Sequence, residues 1–491
     1  MINSKPRPCD ALTIRATRAD PQCPEQHKQW VLAAAILGST MSFLDESVVN
    51  VALPKIEANL ATTLPAMQWV VNAYTLCMSA LILSAGAAAD QLGRRRVFLI
   101  GVSIFAVASI ACGVAPRVEW LVLARAIQGI GAAMLIPCSL AIIGAAFDES
   151  ERGAAIGIWS GASAIAAGGG PLLGGWFVDH LSWRAIFLVN PILAVPTLWI
   201  TLRHVPESRD LNANNALDWS GAALVFAALV GIVYGLIAAS TQGWSDPVVV
   251  TALLAGAIVM LVFVWHERHS AAPMLPPELF RSRNFTGVNL LTLLLYGALG
   301  GAFFFVPFML IQAHGYSATA AGAVFLPFTL VLGTLSRSFG RLADRFGARR
   351  PLIIGPTLVA LGFLLLLWSN SQQHYWVFLL PLTVLGFGMA VTVAPLTTLV
   401  MNTVSPTQTG IASGINNAVA SVASLLVVSA LGTVALGVNH QALARHLSPQ
   451  AASIDMFQAV MLIAAILCLA SAAVAALTIS DSRGPPRVSA Q

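Results

Sequence analysis

The chain has 491 residues, of which 57% are hydrophobic and only 10% charged, with a mean hydropathy of +0.79 and a formal net charge of +5. Ordinary soluble domains carry roughly 25% charged residues, so this composition excludes a soluble protein and indicates a polytopic membrane protein.

Apolar runs of span length, about 18–25 residues for ~30 Å of hydrocarbon, occur fourteen times. They lie near 30–51, 68–89, 97–115, 120–146, 154–177, 185–202, 219–239, 248–265, 286–311, 318–336, 351–368, 375–401, 407–437 and 456–479. The runs are continuous rather than alternating, which predicts helices and not barrel strands. Lys5, Arg7, Arg15, Arg18 and Lys28 precede the first run, but that run is span-length, holds acidic residues and lacks a small-residue cleavage site. It therefore reads as a retained helix and not a signal peptide.

With both termini inside, 21 Lys and Arg fall on the cytoplasmic side. Four (Lys55, Arg117, Arg184 and Arg445) fall outside, and Arg125 lies within a span. This bias sets the topology and accounts for the positive net charge, so no nucleic-acid partner is implied. The six cysteines form no paired spacing and all nine histidines lie outside the predicted spans, so neither a disulfide framework, a metal site nor an intramembrane His relay is indicated.

Within the apolar runs the ionisable residues that stand out are Asp45 and Glu46 in the first and Arg125 in the fourth. Charge at bilayer depth costs about 2.5–3.5 kcal/mol on insertion scales, which marks such residues as functional candidates. Counted along oppositely running helices, Asp45 and Arg125 sit at similar depth, so they pair if those spans face each other. Adjacent helical residues point about 100° apart, so Asp45 and Glu46 occupy different environments. Asp45 reads as a proton carrier, Arg125 as its modulating partner and Glu46 as an auxiliary acid; a purely structural ion pair is the rival reading.

The segment GAAADQLGRRR at 86–96 recurs as GRLADRFGARR at 340–350, 254 residues on, with Asp90 matched by Asp344 and Gly93 by Gly347. Each follows the second span of a six-span block, the pattern of a parallel repeat. The predicted organisation is a cytoplasmic tail at 1–29, a six-helix bundle at 30–202, a linker with two extra helices at 203–285, a second six-helix bundle at 286–479 and a tail at 480–491. Asp90 can pair with the guanidinium groups of Arg94, Arg95 and Arg96 across a glycine turn, as a conformational latch or as a static loop anchor. In the fifth span Gly168, Gly169, Gly170, Gly174 and Gly175 leave one face almost bare, and Pro171 permits a bend: a gating seam or plain small-residue packing.

Further sequence elements carry a family resemblance. LDESVVNVALP at 44–54, LARAIQGIGAAMLIP at 123–137, GGGPLLGGWFVDHLSWRAIFLVN at 168–190 and PMLPPELFRSRNF at 273–285 join the two loop motifs. Together they resemble the major facilitator superfamily, and within it the fourteen-span drug:proton antiporters that export multiple drugs and quaternary ammonium compounds. The chain departs from that pattern at Ala166, where the family has glycine, at Glu46, a variable position, and after Asn417, where a basic residue and part of a glycine pattern are missing. The resemblance implies an all-α fold of two six-helix bundles plus two extra central helices, with Asp45 at the acidic coupling position. It also implies that the loop motif, with Asp90 near a helix N-terminus of the second half, stabilises the state closed to the cytoplasm.

The resulting expectation is a proton-coupled secondary transporter that exports drugs or other amphipathic small molecules by alternating access, in the bacterial cytoplasmic membrane. Asn72, Tyr74, Gln128, Tyr296, Phe304, Phe308 and Asn416 are candidate substrate contacts. The expected partners are a small amphipathic substrate and membrane lipid, for a monomer working alone or with an outer-membrane or adaptor partner. Protons are the coupling ion and no cofactor or metal is expected. An exporter of a lipid, siderophore or other metabolite fits the same helices, and a metabolite importer fits less well. A membrane enzyme would need a catalytic cluster that the spans lack.

Overall fold

The structure, a computed structural model, describes residues 25–209, 218–270, 273–368, 374–405 and 408–480. Cys9, Cys23 and most of both predicted tails lie outside the described residues. The α-helices are α1 (Glu25–Asn59), α2 (Leu64–Leu92), α3 (Arg94–Val114), α4 (Val118–Ala146), α5 (Glu149–His180), α6 (Ala185–His204), α7 (Trp219–Gln242) and α8 (Pro247–His269). They continue with α9 (Arg283–Phe308), α10 (Ala318–Ala323), α11 (Leu326–Phe346), α12 (Arg349–Leu366), α13 (Leu379–Asn402), α14 (Thr409–Ala444) and α15 (Pro449–Thr478).

Among the described residues fourteen helical segments are long and apolar enough to cross a membrane, the number read from the sequence. They outrun the apolar windows: α1 has 35 residues because its hydrogen-bond ladder continues into polar ends that hydropathy does not mark. The tenth run is not one straight helix, since α10 stops at Ala323 and α11 begins at Leu326. Local chemistry sets other ends. Ser448 caps α15 by accepting from the Ala451 N–H at 3.2 Å, with Pro449 in the first turn where its missing donor costs nothing. Gly93 and Gly347 stop α2 and α11 with φ of 111° and 87°, a backbone that side chains with a Cβ resist.

The chain forms two compact units. The first comprises residues up to Gly235 with Val250–Met274 and Ser317–Ala323; the second comprises Leu236–Val249, Leu275–Tyr316 and Val324 onward. In the first unit α1 packs on α5 and α6, α4 on α2 and α3, and α3 on α6. In the second, α9 packs on α14 and α15, α13 on α11 and α12, and α12 on α15. Counted as spans, these are the same five pairings, as a parallel repeat requires. Trp30, Trp120, Trp219, Trp244 and Trp376 are exposed near helix ends, as an interfacial belt would be, whereas Trp183 is buried and donates to Asn59 at 3.0 Å.

Candidate functional site

Asp45 sits inside the first unit, 1% exposed, and Arg125 reaches it from α4, also 1% exposed. The Arg125 Nη1 pairs with Asp45 Oδ2, while its Nε donates to the Val70 carbonyl at 3.1 Å. The other carboxylate oxygen, Oδ1, accepts from Gln128 Nε2 at 2.8 Å and from Asn190 Nδ2 at 3.0 Å. Gln128 turns its own carbonyl to Arg125 Nη1 at 2.8 Å, and Ser109 accepts from Asn190 at 2.9 Å while donating to the Phe187 carbonyl at 2.8 Å. The guanidinium lies 4.2 Å from the Tyr74 ring centre and 5.8 Å from that of Phe187. Burying two charges is expensive unless each is paired and further hydrogen-bonded, and here the Asp45 carboxylate has three hydrogen-bond donors and Arg125 three acceptors.

The helices make the shell for local reasons. On α4, Arg125 and Gln128 are three residues apart and so share a face. Beside them Gly129 meets the Tyr74 carbonyl so closely that a Cβ would collide with it, which brings α4 down onto α2 and Arg125 over the Tyr74 ring. Glu46 differs: it is exposed, and its carboxylate makes no hydrogen bond among the described residues. The 100° offset along the helix therefore separates the two acids as the sequence predicts.

At the first loop motif Arg94 pairs with Asp90, at 2.9 Å through Nε and 2.8 Å through Nη2. Arg95 is held instead by Glu207, whose Oε1 accepts the Arg95 backbone N–H at 3.1 Å, and its guanidinium donates to the Leu202 carbonyl at 2.7 Å. Glu207 lies directly over Gly93, 2.6 Å from where a Cβ would stand, so this glycine serves both the turn and the approach of the carboxylate. In the second motif Gly347 makes the matching turn; the Asp344 side chain lies outside the described residues.

The bare face of the fifth span is used on two sides. A Cβ on Gly170 would collide with the Ser47 hydroxyl, and one on Gly174 would stand 2.9 Å from the Val48 carbonyl, both on α1. Gly175 meets the Ala318 carbonyl, and Gly322 on α10 meets the carbonyl of Pro171. At the end of this seam Asp179 accepts from the backbone N–H groups of Ala318 and Thr319 at 3.1 and 2.7 Å, and from the Thr319 hydroxyl at 2.6 Å.

Residues 35–428 match the sequence model described as Major Facilitator Superfamily. The chain is 38% identical over 404 residues to the multidrug resistance protein Stp of Mycobacterium tuberculosis, covering 82% of this chain and 75% of that protein. It is 34% identical over 452 residues to the puromycin resistance protein pur8 of Streptomyces alboniger, covering 91% and 89%. A solved bacterial homolog of the human lysosomal transporter Spinster shares the fold, with a TM-score of 0.65 over 93% of this chain and 97% of that one at 17% identity. The chain belongs to the Major Facilitator Superfamily.

In this superfamily member the candidate substrate contacts are scattered. Asn72, Tyr74 and Gln128 are buried, Tyr74 sharing a 2.8 Å hydrogen bond with Ser42 and Gln128 belonging to the Asp45 shell. In the second unit Phe304 and Phe308 stack within the core, 1% and 3% exposed, and Tyr296 is half-buried. Asn416 donates to Asn289 at 3.2 Å and to Thr292 at 2.9 Å, so it closes an internal contact between α14 and α9. Sequence reading missed Ser109, Asn190, Asp179 and Glu207. Asn190 and Ser109 carried a signal, each being an uncharged polar residue in an apolar run; Asp179 and Glu207 looked like ordinary span-end charges.

Proposed function

We propose that this transporter exports small amphipathic molecules, toxic compounds among them, by proton-coupled alternating access, with Asp45 as the proton carrier. The support is the Asp45–Arg125 pair: a carboxylate and a guanidinium buried together, with uncharged donors around them, in a protein whose relatives Stp and pur8 are named for drug resistance. Protonating Asp45 abolishes the attraction that offsets the burial of Arg125, so the two protonation states favour different arrangements of the helices around the pair. The seam of Gly170, Pro171, Gly174 and Gly175, and the Asp90–Arg94 latch beside Gly93 and Arg95, act in this reading as the moving parts. Asp344 and Gly347 are their counterparts in the second repeat. Glu46 is the auxiliary acid.

The orientation belongs to the same proposal: both termini in the cytoplasm of a bacterial cell, with the protein in its cytoplasmic membrane. The substrate follows from a panel of toxic compounds tested on cells with and without the protein. With a compound so identified, wild-type protein in proteoliposomes should concentrate it in response to a pH gradient. Asp45→Asn keeps size and hydrogen bonding but removes proton exchange, so it should lose that accumulation while still binding the compound. Glu46→Gln should have the smaller effect. Accumulation by Asp45→Asn at the wild-type rate would remove Asp45 from the coupling.

A further inference from the structure

The side chains around Asp45 are extensively hydrogen-bonded to one another, but one buried acceptor among them is left over. Gln128 Oε1 accepts from Arg125 and from the Cys112 thiol, and Ser109 Oγ accepts from both Gln128 and Asn190. The Asn190 amide nitrogen donates twice, to Asp45 Oδ1 and to Ser109 Oγ. Its carbonyl oxygen Oδ1 is buried with no hydrogen-bond partner, on a residue of 0% exposure. Buried acceptors are nearly always satisfied, so an orphan in the middle of a charged cluster calls for an explanation.

The charge state of Asp45 supplies one. As a carboxylate it only accepts, so the end of the Asn190 amide that faces it must be the NH₂. On taking a proton it becomes a donor and needs an acceptor. Gln128 Oε1 and Ser109 Oγ are already engaged; Asn190 Oδ1 is spare. A half-turn of the amide about its terminal torsion, which is soft and roughly two-fold, exchanges the positions of Nδ2 and Oδ1. It brings the spare oxygen to the place now held 3.0 Å from Asp45 by the nitrogen.

We infer that Asn190 is a positioning residue that hydrogen-bonds Asp45 in both of its protonation states, donating to the carboxylate and, after a half-turn of its amide, accepting from the acid. This rests on the reading of Asp45 as the proton carrier and adds to it a residue of α6 that the loop, seam and ion-pair motifs do not include. The other ionisable groups around Asp45 are Arg125 on α4, Tyr74 on α2, Cys112 on α3 and Glu46 on its own helix. Arg125, Tyr74 and Cys112 are hydrogen-bonded to Asp45, Ser42 and Gln128 respectively, and Glu46 is exposed and lies within electrostatic reach of Arg125 and Asp45 without a hydrogen bond to the shell.

The proton itself is the probe that tests this. Infrared difference spectra of the purified full-length protein, titrated with acid, should show the carbonyl stretch of one protonated carboxylic acid that Asp45→Asn abolishes. In Asn190→Leu, similar in size but unable to hydrogen-bond, that band should move to higher wavenumber, because the acid has lost its acceptor. Asn190→Thr, whose hydroxyl donates or accepts by rotating, should restore the wild-type position. If Asn190→Leu does not accumulate, Asn190→Ala, which leaves space and adds no apolar bulk, carries the same expectation. A band at the wild-type position in both apolar variants, still abolished by Asp45→Asn, overturns the role of Asn190 and leaves the carrier reading intact. The absence of any band that Asp45→Asn removes overturns both.

Discussion

Gly101, Phe105 and Gly131 in the first repeat, and Gly355, Val359 and Gly388 in the second, build one and the same helix crossing. A Cβ on Gly131 would stand 2.7 Å from the Phe105 nitrogen and 2.9 Å from the Gly101 carbonyl; one on Gly388 would stand 2.7 Å from the Val359 nitrogen and 2.8 Å from the Gly355 carbonyl. Gly355 and Val359 follow Gly101 and Phe105 by 254 residues, the displacement of the loop motifs. What the repeats enclose is different. The first buries Asp45 and Arg125 with an amide shell, whereas the buried polar side chains of the second, among the described residues, are uncharged, such as Asn289, Thr292 and Asn416. The position 254 residues beyond Asp45 is Leu299, 6% exposed. A shared scaffold thus carries a charged pair in one copy and, among the described residues, uncharged buried side chains in the other.

The largest effect should come from breaking this asymmetry at its charges. Arg125→Leu leaves Asp45 buried without its cation and should cost about 3–5 kcal/mol, seen as loss of accumulation or a much lower melting temperature in detergent. Adding Asp45→Asn should recover most of that loss, because the uncompensated charge is gone. Leu299→Asp, which places a carboxylate in the second repeat without a partner, should be as damaging as Arg125→Leu. Equal stability of Leu299→Asp and wild type would mean that the second repeat tolerates charge there and that the contrast is incidental.

The next effect should be equal in the two copies. Gly131→Ala and Gly388→Ala each press a methyl group against backbone that cannot swing aside, at about 1–3 kcal/mol. The seam glycines behave differently, because the second repeat moves them to another helix. In the first, Gly170 and Gly174 on α5 receive α1; in the second, Gly297, Gly300 and Gly301 on α9 receive Ser424, Val427 and Leu431 of α14. Thermal melts of the two crossing variants that differ by several-fold in cost would show that the shared geometry hides unequal packing.

Asp90→Asn should be smaller still in stability and visible in turnover. Removing the Arg94 partner without touching the Asp45 shell should leave accumulation normal and slow transport by roughly 2–30-fold, the range of couplings of 0.5–2 kcal/mol. Asp344→Asn is the matched change in the second repeat, and comparing the two rates tells whether one loop motif or both act as latches. Unchanged transport in both variants would leave the motif as a static turn.

Much of this was legible in the sequence because the membrane imposes it. Span count follows from the cost of unsatisfied backbone in lipid, and the repeat follows from Asp and Gly recurring at one displacement. The meeting of Asp45 and Arg125 follows from two rare charges at one depth. The uncharged shell was not legible. A Ser109 or Asn190 in an apolar helix has the same local look whether it bonds its own backbone, as Ser429 does to the Leu425 carbonyl at 2.8 Å, or polar groups on distant helices. Nor was the burial of Phe304 and Phe308, since an aromatic face at helical spacing is compatible with core, lipid or substrate.

The smallest effect concerns α7 and α8, the inserted helices that have no counterpart in either repeat and so serve as a reference for what purely local chemistry contributes. Asp218 caps α7: its Oδ1 accepts from the Gly221 N–H at 2.7 Å and from Ser220 at 2.9 Å, and His266 on α8 stands 2.9 Å away. Burial pushes the carboxyl upward, but the Gly221 N–H, His266 and Ser220 outweigh it and hold it below the ordinary carboxylate range. A carboxyl depressed in the folded state stabilises that state at pH values above its unfolded pKa of about 3.9, and the stabilisation is lost as pH falls through the lower folded value. Asp218→Ala should therefore cost about 1 kcal/mol at neutral pH, the usual worth of an N-cap. The melting temperatures of the variant and the wild type should converge as the pH is taken below about 4. A difference that persists unchanged in acid would mean that Asp218 contributes packing alone.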